Sequence, residues 1–357
     1  MRKQIVVLMS GGVDSSVAAY LLSQRYDIIG LTLKLWNCDD LTETQRQLCC
    51  SPKDIYDAKN VCFQLGIPHY VLDLSKEFEN YIVKNFCEGY LLGKTPNPCI
   101  VCNAKIKFYS VLKKVNDIFN IKYIATGHYA RIVKEDNKFF IAKAKDELKD
   151  QSYFLSQISK EFLPYIIFPL GELLKDEVRN IAEKVSLKVA RKKESFDLCF
   201  VPDRDYRKFL LSKGYKVNNK GKIVDIKTKR FLGYHKGYIN YTIGQRSGLG
   251  LKNFSKRKYV VEIDPQENIV YVGDESFLYS DKLIAKNCVF YEEKEKIYKN
   301  RLFAKIRYKS DYVECRLEIF DDYMRVEFLS PQKAITKGQY VVIYDINGKI
   351  LCSGEIS

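Results

Sequence analysis

Two groups of residues in this 357-residue chain have the types and spacing to do chemistry. The first is Ser10-Gly11-Gly12-Val13-Asp14-Ser15-Ser16, which breaks an apolar run. Gly11 and Gly12 allow close backbone approach to a ligand and tolerate unusual φ/ψ values. Ser10, Asp14, Ser15 and Ser16 are residue types that begin helices. A strand, a glycine turn and a helix start in that order present unpaired N–H groups and the positive end of a helix dipole to an anion, which makes a pyrophosphate cradle. No G-x-x-x-x-G-K-[ST] occurs anywhere in the chain, so the cradle is not a Walker loop. The plain alternative is an ordinary strand–turn–helix, and the ordered string of serines, glycines and aspartate weighs against it.

The second group is made of thiols. In Thr95-Pro96-Asn97-Pro98-Cys99-Ile100-Val101-Cys102-Asn103 each proline restricts itself and its predecessor, so the segment reads as a rigid, extended loop ending at a helix start. A helix dipole there would stabilise a thiolate and lower its pKa. Cys199 lies roughly a hundred residues further on, in Ser195-Phe196-Asp197-Leu198-Cys199, read as a loop after a helix. Three readings compete. A structural zinc site needs four ligands, and one C-x-x-C with one distant cysteine falls short unless Cys49 or Cys50 completes it. Buried, inert thiols are the second. The third, redox or sulfur-transfer chemistry, is favoured: two separated thiols that approach can carry a persulfide and resolve it as a disulfide, with Cα atoms about 4.4–6.8 Å apart at the exchange step.

These groups need elements to hold them. Residues 5–9, Ile5-Val6-Val7-Leu8-Met9, read as a fully buried strand, and a helix continues through Val17-Ala18-Ala19-Tyr20-Leu21-Leu22. Further strands are expected at 27–36, 69–74 and 123–129, with helices over 53–65, 78–92 and 104–119 and a proline-interrupted loop at 95–102. Strand and helix signals that alternate imply βα units and a parallel sheet. Residues 131–144 alternate about Asp136-Asn137 as a hairpin would, and 151–185 read as a helical region. After Pro202 the texture changes to short strands, glycine turns and lysines. Period-2 stretches at 259–263, 269–272, 302–308, 313–319, 324–329, 339–344 and 350–353 suggest a small barrel or sandwich.

Charge narrows the partner. The net charge is +15, and residues 201–260 carry 16 basic against 3 acidic side chains. A short basic block beside a phosphate cradle points to a polyanionic partner, and nucleic acid is the expected one. A lysine-rich composition alone would not empty one segment of acids. Eleven scattered cysteines lack the dense spacing of a secreted disulfide scaffold. With no membrane-length apolar run, and with Met1-Arg2-Lys3-Gln4 leading straight into a strand, a cytoplasmic location is expected.

The segment Ser10 to Ser16 resembles the PP-loop of the ATP pyrophosphatases, which bind ATP and release pyrophosphate while adenylating a substrate. Alone it leaves argininosuccinate synthase, GMP synthetase and several tRNA thiolases open. Joined with Gly30-Leu31-Thr32-Leu33-Lys34-Leu35-Trp36, the 95–102 segment, Ala125-Thr126-Gly127-His128-Tyr129, Lys149-Asp150-Gln151-Ser152-Tyr153, the 195–199 segment and Thr242-Ile243-Gly244-Gln245-Arg246, it makes the whole chain resemble the bacterial tRNA-specific 2-thiouridylases, the MnmA family. The resemblance implies an α/β PP-loop domain (adenine nucleotide alpha hydrolase-like, with a parallel sheet) over 1–203, a small basic β-rich tRNA-binding domain over 204–275 and a C-terminal β-barrel over 276–357.

It also implies a chemistry. ATP would sit on Leu8, Met9, Ser10, Gly11, Gly12, Val13, Asp14 and Ser15, with Leu33 and Gly127 on the adenosine side and Mg2+ neutralising the phosphates, Asp14 being a candidate ligand. The C2 oxygen of a wobble uridine, in tRNAs for lysine, glutamate and glutamine, would attack the α-phosphate. Cys199 would take sulfur as a persulfide from a donor protein, and Cys102 would act as partner thiol, either releasing hydrogen sulfide or closing a Cys102–Cys199 disulfide. Asn97, Pro98 and Cys99 would meet the target base; Lys149, Asp150, Gln151, Arg307 and Tyr308 would contact tRNA; His128 and Gln339 would shape the bound anticodon region.

Two positions depart from the family pattern. Leu33 stands where Met is common, which a mostly backbone contact tolerates. Cys99 stands where well-known members carry Asp, so a general acid–base role there would need a shifted thiol pKa. The substitution yields three thiols, Cys99, Cys102 and Cys199, which could hold a [4Fe–4S] cluster with one iron open to a sulfide. Two other functions remain to be weighed: a different PP-loop adenylating enzyme, which gives Cys102 and Cys199 no role, and a non-catalytic tRNA-binding protein, which releases no pyrophosphate.

Overall fold

β1 (Gln4–Leu8) is an Ile-Val-Val-Leu run in which Ile5, Val6 and Val7 are fully buried, as the interior of a parallel sheet covered on both faces requires. It pairs in parallel with β2 (Asp27–Lys34) on one side, with Leu8 opposite Leu31, and with β4 (Ile124–Ala125) on the other, with Val7 opposite Ala125. β3 (His69–Asp73) joins β2 and β7 (Ile166–Ile167) joins β4, so the order is β3-β2-β1-β4-β7. Helix α1 (Val13–Ser23) follows β1, and α2 (Pro52–Gln64) precedes β3. Val13, Val17, Ala18 and Ala19 of α1 share one core with Ala58, Val61 and Cys62 of α2 and with Val178 and Ala182.

The computed structural model describes residues 2–36, 52–192, 198–201, 205–216, 219–251 and 257–357. Cys38, Cys49, Cys50 and residues 195–197 of the Cys199 segment lie outside them. The chain divides into two compact units: Met1–Val83 with Pro98–Arg204 and Asn347–Leu351, and Lys84–Asn97 with Asp205–Ile346 and Cys352–Ser357.

Several expectations for the first unit are revised. The loop foreseen at 95–102 becomes helical from Pro98 (Pro98–Val101), because proline's fixed φ suits the first helical position where its missing N–H costs nothing. Cys102 opens a π-helical stretch, Cys102–Ser110, continued by Val111–Phe119. The 151–185 region is not one helix: Ser152–Leu155, a 3-10 turn Lys160–Tyr165 containing Pro164, β7 and the helix Lys175–Lys184 succeed one another. The hairpin of β5 (Arg131–Glu135) and β6 (Lys138–Ala142) forms as expected, with Asp136 and Asn137 both at positive φ, the conformation of a tight two-residue hairpin turn.

The second unit carries two sheets. β8 (Gly221–Asp225), β9 (Phe231–His235), β10 (Tyr259–Asp264) and β11 (Ile269–Gly273) lie in the order β10-β11-β8-β9 over a core of Ile223, Val260, Val270 and Val272. The remaining strands close a six-stranded barrel, β12-β15-β14-β13-β16-β17: β12 (Tyr279–Phe290), β13 (Leu302–Lys305), β14 (Val313–Ile319), β15 (Tyr323–Lys333), β16 (Tyr340–Tyr344) and β17 (Ile350–Ile356). β12 escapes pattern reading because Ser280-Asp281-Lys282 and Lys286-Asn287 interrupt its apolar residues and only Leu283 and Ala285 are buried. β13 stops at Lys305, so Arg307 and Tyr308 lie in a turn and not, as the 302–308 pattern suggests, on a strand. Ser310 N–H donates to the Arg307 carbonyl and closes that turn.

Candidate active site

β2 and β4 flank β1 on opposite sides, so the sheet is built outward in both directions from the gap between β1 and β4. In open α/β sheets the crevice beyond the carboxyl ends at such a switch is where ligands bind. Both glycine segments converge there. Gly11 takes φ +69°, and a Cβ on it would lie 2.3 Å from the Asp54 carbonyl oxygen. Gly127, two residues after β4, packs so tightly on the first turn of α1 that a Cβ would come 2.7 Å from the carbonyl carbon of Asp14 and from the amide of Ser15. Only glycine fits either place, so the backbone itself forms the floor of the crevice.

The start of α1 is prepared for an anion. Gly12 is its N-cap, in extended conformation, with no side chain capping the first turn. The serines instead brace the loop: Ser15 Oγ donates to the Gly12 carbonyl at 3.1 Å and accepts the Ser10 N–H at 3.2 Å, while Ser16 Oγ donates to the Gly12 carbonyl at 2.8 Å. N–H groups left without intrahelical partners point out of a helix start, and a polyphosphate is a suitable acceptor for them. Leu8, Met9 and Val13 are buried beneath the loop, and Leu33, on β2, is buried too.

Two lysines that sequence reading does not single out hold this loop. Lys175, whose side chain is only 7% exposed, places Nζ 2.7 and 2.9 Å from the two carboxylate oxygens of Asp14. Tyr129 donates its hydroxyl to the same carboxylate at 2.9 Å. Asp14 is therefore a neutralised anchor and a poor direct ligand for magnesium. Lys192 donates to the Gly11 carbonyl at 2.9 Å, to Asp54 at 2.8 Å and to Asp57 at 2.6 Å. Burial pulls the Lys192 ammonium down, but the bonds to the two aspartates outweigh it and keep its pKa above the usual lysine value.

The RNA-directed expectations in this unit fall mainly on inward-facing groups. Asp150 is 4% exposed; its carboxylate accepts the N–H groups of Ala144 and Ser152 and the Ser152 hydroxyl. Gln151 clasps the Tyr129 backbone, accepting its N–H at 3.0 Å and donating its own N–H to the carbonyl at 2.8 Å. Lys149 N–H closes a turn onto Asp146. The 149–151 segment thus supports the tyrosine that supports Asp14. His128 packs near Phe108 and Phe168, with its Nδ1 2.7 Å from the Thr126 hydroxyl. Burial, aided by the nearby Lys107 charge, holds its imidazole well below the ordinary histidine range, so it works as a neutral ring.

The eight described cysteines are thiols, not disulfides. Cys99 and Cys199 are half-buried, and Cys102 is buried. Because the helix begins at Pro98, Cys102 lies a turn inside it and not at its start; burial raises its pKa, the Lys107 charge offsetting this in part, contrary to the lowering expected from a helix dipole. Cys199 sits in a turn closed by Val201 N–H on the Leu198 carbonyl and anchored by Phe200, whose ring meets Phe78 edge-on at 5.5 Å. Among the described residues no three Cys, His, Asp or Glu side chains are grouped to hold a metal ion, so Cys99, Cys102 and Cys199 do not fit a cluster as placed.

In the second unit Gln339 and Asn97 come together. Gln339 Nε2 donates to the Thr95 carbonyl at 2.8 Å, and its Oε1 lies 3.5 Å from Asn97 Nδ2. Thr95 N–H donates to the Lys337 carbonyl, and Gly338, at φ +87°, admits the chain where a Cβ would press on Lys94 and Thr95. The residues leading into Pro98 and Cys99 are thus pinned to the barrel. Arg307 donates to the Lys333 carbonyl at 2.9 Å, and Lys305 Nζ lies 5.6 Å from the Tyr308 ring. No helix among the described residues is long and apolar enough to cross a membrane.

Three family models match in series: tRNA methyl transferase HUP domain over residues 3–203, tRNA methyl transferase PRC-barrel domain over 207–274 and Aminomethyltransferase beta-barrel domain over 280–356. The chain is 45% identical to the tRNA-specific 2-thiouridylase MnmA 1 of Caldanaerobacter subterraneus subsp. tengcongensis, with 100% of this chain and 98% of that protein aligned. It is 42% identical to the tRNA-specific 2-thiouridylase MnmA of Clostridium acetobutylicum, over 100% and 99% of the two chains. The Rickettsia felis protein of the same name is 44% identical over 95% and 93%. Of solved structures, the NH3-dependent NAD synthetase of Campylobacter jejuni superposes only loosely, at a TM-score of 0.33 and 15% identity over 55% of this chain and 70% of that one. Identity above 40% from end to end is decisive: the chain belongs to the tRNA-specific 2-thiouridylase family.

Proposed function

We propose that this protein is a tRNA uridine 2-sulfurtransferase that uses ATP to activate the C2 oxygen of a wobble uridine and a persulfide on Cys199 to replace it. The observation that carries the reading is the double-glycine floor at the β1/β4 switch, where Gly11 and Gly127 bring bare backbone against the first turn of α1.

ATP lies with its phosphates on the N–H groups of Gly12, Val13, Asp14 and Ser15, whose loop Lys175 and Lys192 brace from behind. Both ammoniums are already matched by carboxylates, so the attraction for phosphate comes chiefly from backbone dipoles that need no rearrangement during reaction. Magnesium would travel with the phosphates and neutralise the departing pyrophosphate. The uridine C2 oxygen attacks the α-phosphorus, pyrophosphate leaves, and an oxygen that was a poor leaving group becomes part of AMP.

Cys199, supplied with a terminal sulfur by a persulfide donor protein, then delivers it to C2. Either the persulfide attacks directly, AMP leaves and Cys102 attacks Cys199 to release the thiolated base with a disulfide, or Cys102 first liberates hydrogen sulfide. Burial of Cys102 suits a resolving thiol kept from premature oxidation. The wobble uridine must leave its stack to reach such a pocket, and the Asn97–Gln339 contact steadies the chain entering Cys99, the residue expected beside the base.

The decisive experiment is nucleoside mass spectrometry of unmodified lysine tRNA incubated anaerobically with the protein, MgATP and a persulfide donor. 2-Thiouridine that requires ATP and disappears in Cys199→Ser establishes the function. Pyrophosphate release without thiolated uridine would leave the PP-loop chemistry and remove the substrate.

A further inference from the structure

β9 is the edge strand of the central sheet, and its register against β8 is interrupted. Lys222 faces Tyr234, Ile223 faces Gly233, and Val224 faces Phe231, so Leu232 is an extra residue. In a regular strand, positions three apart lie on opposite faces. The bulge cancels that alternation and puts Phe231 and Tyr234 on one side, away from the side where Ile223 is fully buried. The two rings meet at 5.0 Å and 65°, yet Phe231 is 49% and Tyr234 59% exposed.

Cations surround this pair. Lys220 Nζ stands 4.2 Å over the Tyr234 ring, Lys222 is exposed beside it, and in the β8–β9 turn Arg230 is exposed while Lys229, also exposed, reaches its Nζ to 4.8 Å from the Tyr271 ring on β11. The described acids of the basic block are used internally. Asp205 caps the helix Tyr206–Ser212, and Asp225, 7% exposed, binds Lys258 and the turn's own N–H groups. The surface is therefore aromatic and cationic, with no carboxylate among the described residues of its own block to offset it.

We infer that Phe231 and Tyr234 are a stacking platform for an unpaired nucleobase of the tRNA, with Lys220, Lys222, Lys229 and Arg230 receiving the flanking phosphates. This rests on the reading of tRNA as substrate. A bare apolar edge would invite pairing with another chain, whereas an edge ringed by lysines repels a second copy and attracts a polyanion. A nucleotide supplies both partners at once: a phosphate for the Lys220 ammonium and a base for the ring face that it leaves. Stacking on an aromatic ring is worth about 1–3 kcal/mol per base and does not depend on salt as phosphate contacts do.

That difference gives the test. Binding of fluorescent lysine tRNA, a single-stranded ribonucleotide oligomer and a duplex RNA is measured across salt concentrations, without ATP or sulfur donor. Phe231→Ala with Tyr234→Ala should weaken tRNA and single-strand binding about tenfold at every salt concentration and spare the duplex. Tyr234→Trp should retain affinity. Lys222→Ala, Lys229→Ala and Arg230→Ala together should instead flatten the salt dependence. Unchanged tRNA affinity in the aromatic variant, an equal loss for duplex RNA, or a change in its oligomeric state would overturn the platform. A wild-type protein that binds the single strand but makes no 2-thiouridine would refute the proposed function and leave the platform standing.

Discussion

Lys175 and Asp14 are 161 residues apart in sequence and form a two-pronged ion pair of 2.7 and 2.9 Å directly behind the phosphate cradle. The lysine side chain is 7% exposed and the aspartate 31%. Removing the ammonium leaves a carboxylate at the start of α1 still bonded to the Tyr129 hydroxyl but without a cation matched to it, on the path of an incoming polyanion. Lys175→Met should destabilise the first unit toward the lower end of the about 3–5 kcal/mol typical of breaking a buried pair, because Asp14 keeps some solvent. It should also raise the KM for ATP. Adding Asp14→Asn should recover stability measured by urea unfolding. Full stability in Lys175→Met alone would show that the pair is incidental.

The Gly11 loop depends on Lys192 in a different way. The ammonium ties the Gly11 carbonyl to Asp54 and Asp57, and Gly11 itself leaves no room for a Cβ against the Asp54 carbonyl. Gly11→Ala must move α2 or the loop, and its left-handed φ adds about 1–2 kcal/mol of strain. Pyrophosphate release should fall at least tenfold, with the loss visible in nucleotide binding by calorimetry. Lys192→Met should raise the KM for ATP and leave kcat less changed, since it alters the shape of the cradle and touches no reacting atom. A fall in kcat with KM intact would assign Lys192 to chemistry.

The chain has three histidines, and burial lowers the pKa of each below the ordinary 6.5: His69, also beside the Lys59 charge; His128, also beside Lys107; and His235, partly opposed by its bond to the Asn268 carbonyl. His235 accepts the Gly237 N–H on Nδ1 at 3.0 Å, so its proton sits on Nε2, facing the Asn268 carbonyl. The sign follows from which state takes up protons first. Below 6.5 the unfolded chain protonates while the folded one resists, so stability is complete above that value and declines as pH falls toward the lowered folded values, by at most about 1.4 kcal/mol per pH unit for each histidine. The protection factor of the Gly237 amide should fall between pH 6.5 and 5, so that its exchange slows less than the intrinsic rate does. Constant protection over that range would mean that His235 charges without consequence.

The parts legible in the sequence are those whose cause is local. Ile5, Val6 and Val7 announce a doubly covered strand, the Ser-Gly-Gly-Val-Asp-Ser-Ser string announces a helix start over a tight turn, and Asp136-Asn137 announces a hairpin. Lys175 and Lys192 give no such signal. Each is one lysine among many, and its meaning arises only when a helix start and a loop more than 150 residues downstream of the cradle fold against it. Asp150 and Gln151 mislead in the opposite direction: as a polar Lys-Asp-Gln segment they look solvent-facing, while their side chains satisfy buried backbone. Tyr234 and Phe231 sit three apart in a strand, and the bulge at Leu232 that aligns them is written nowhere in the residue pattern.

Cys102 and Cys199 differ in what surrounds them, and the difference predicts their order of reaction. Burial raises the pKa of Cys102 and seals its sulfur, whereas Cys199 is half-buried in a turn. Alkylation needs both thiolate and access. Iodoacetamide at neutral pH should therefore modify Cys199 first, as read by peptide mass spectrometry, and should reach Cys102 only at higher pH or after partial unfolding. Thiolation should be lost in step with Cys199 modification, and bound tRNA should protect it if the base occupies the same pocket. Charging with a persulfide should follow the same preference, since the accessible thiolate is the one that attacks a donor's outer sulfur. Equal labelling of the two thiols in the intact protein would remove the division between carrier and resolving cysteine, and with it the reason for one of them to be buried.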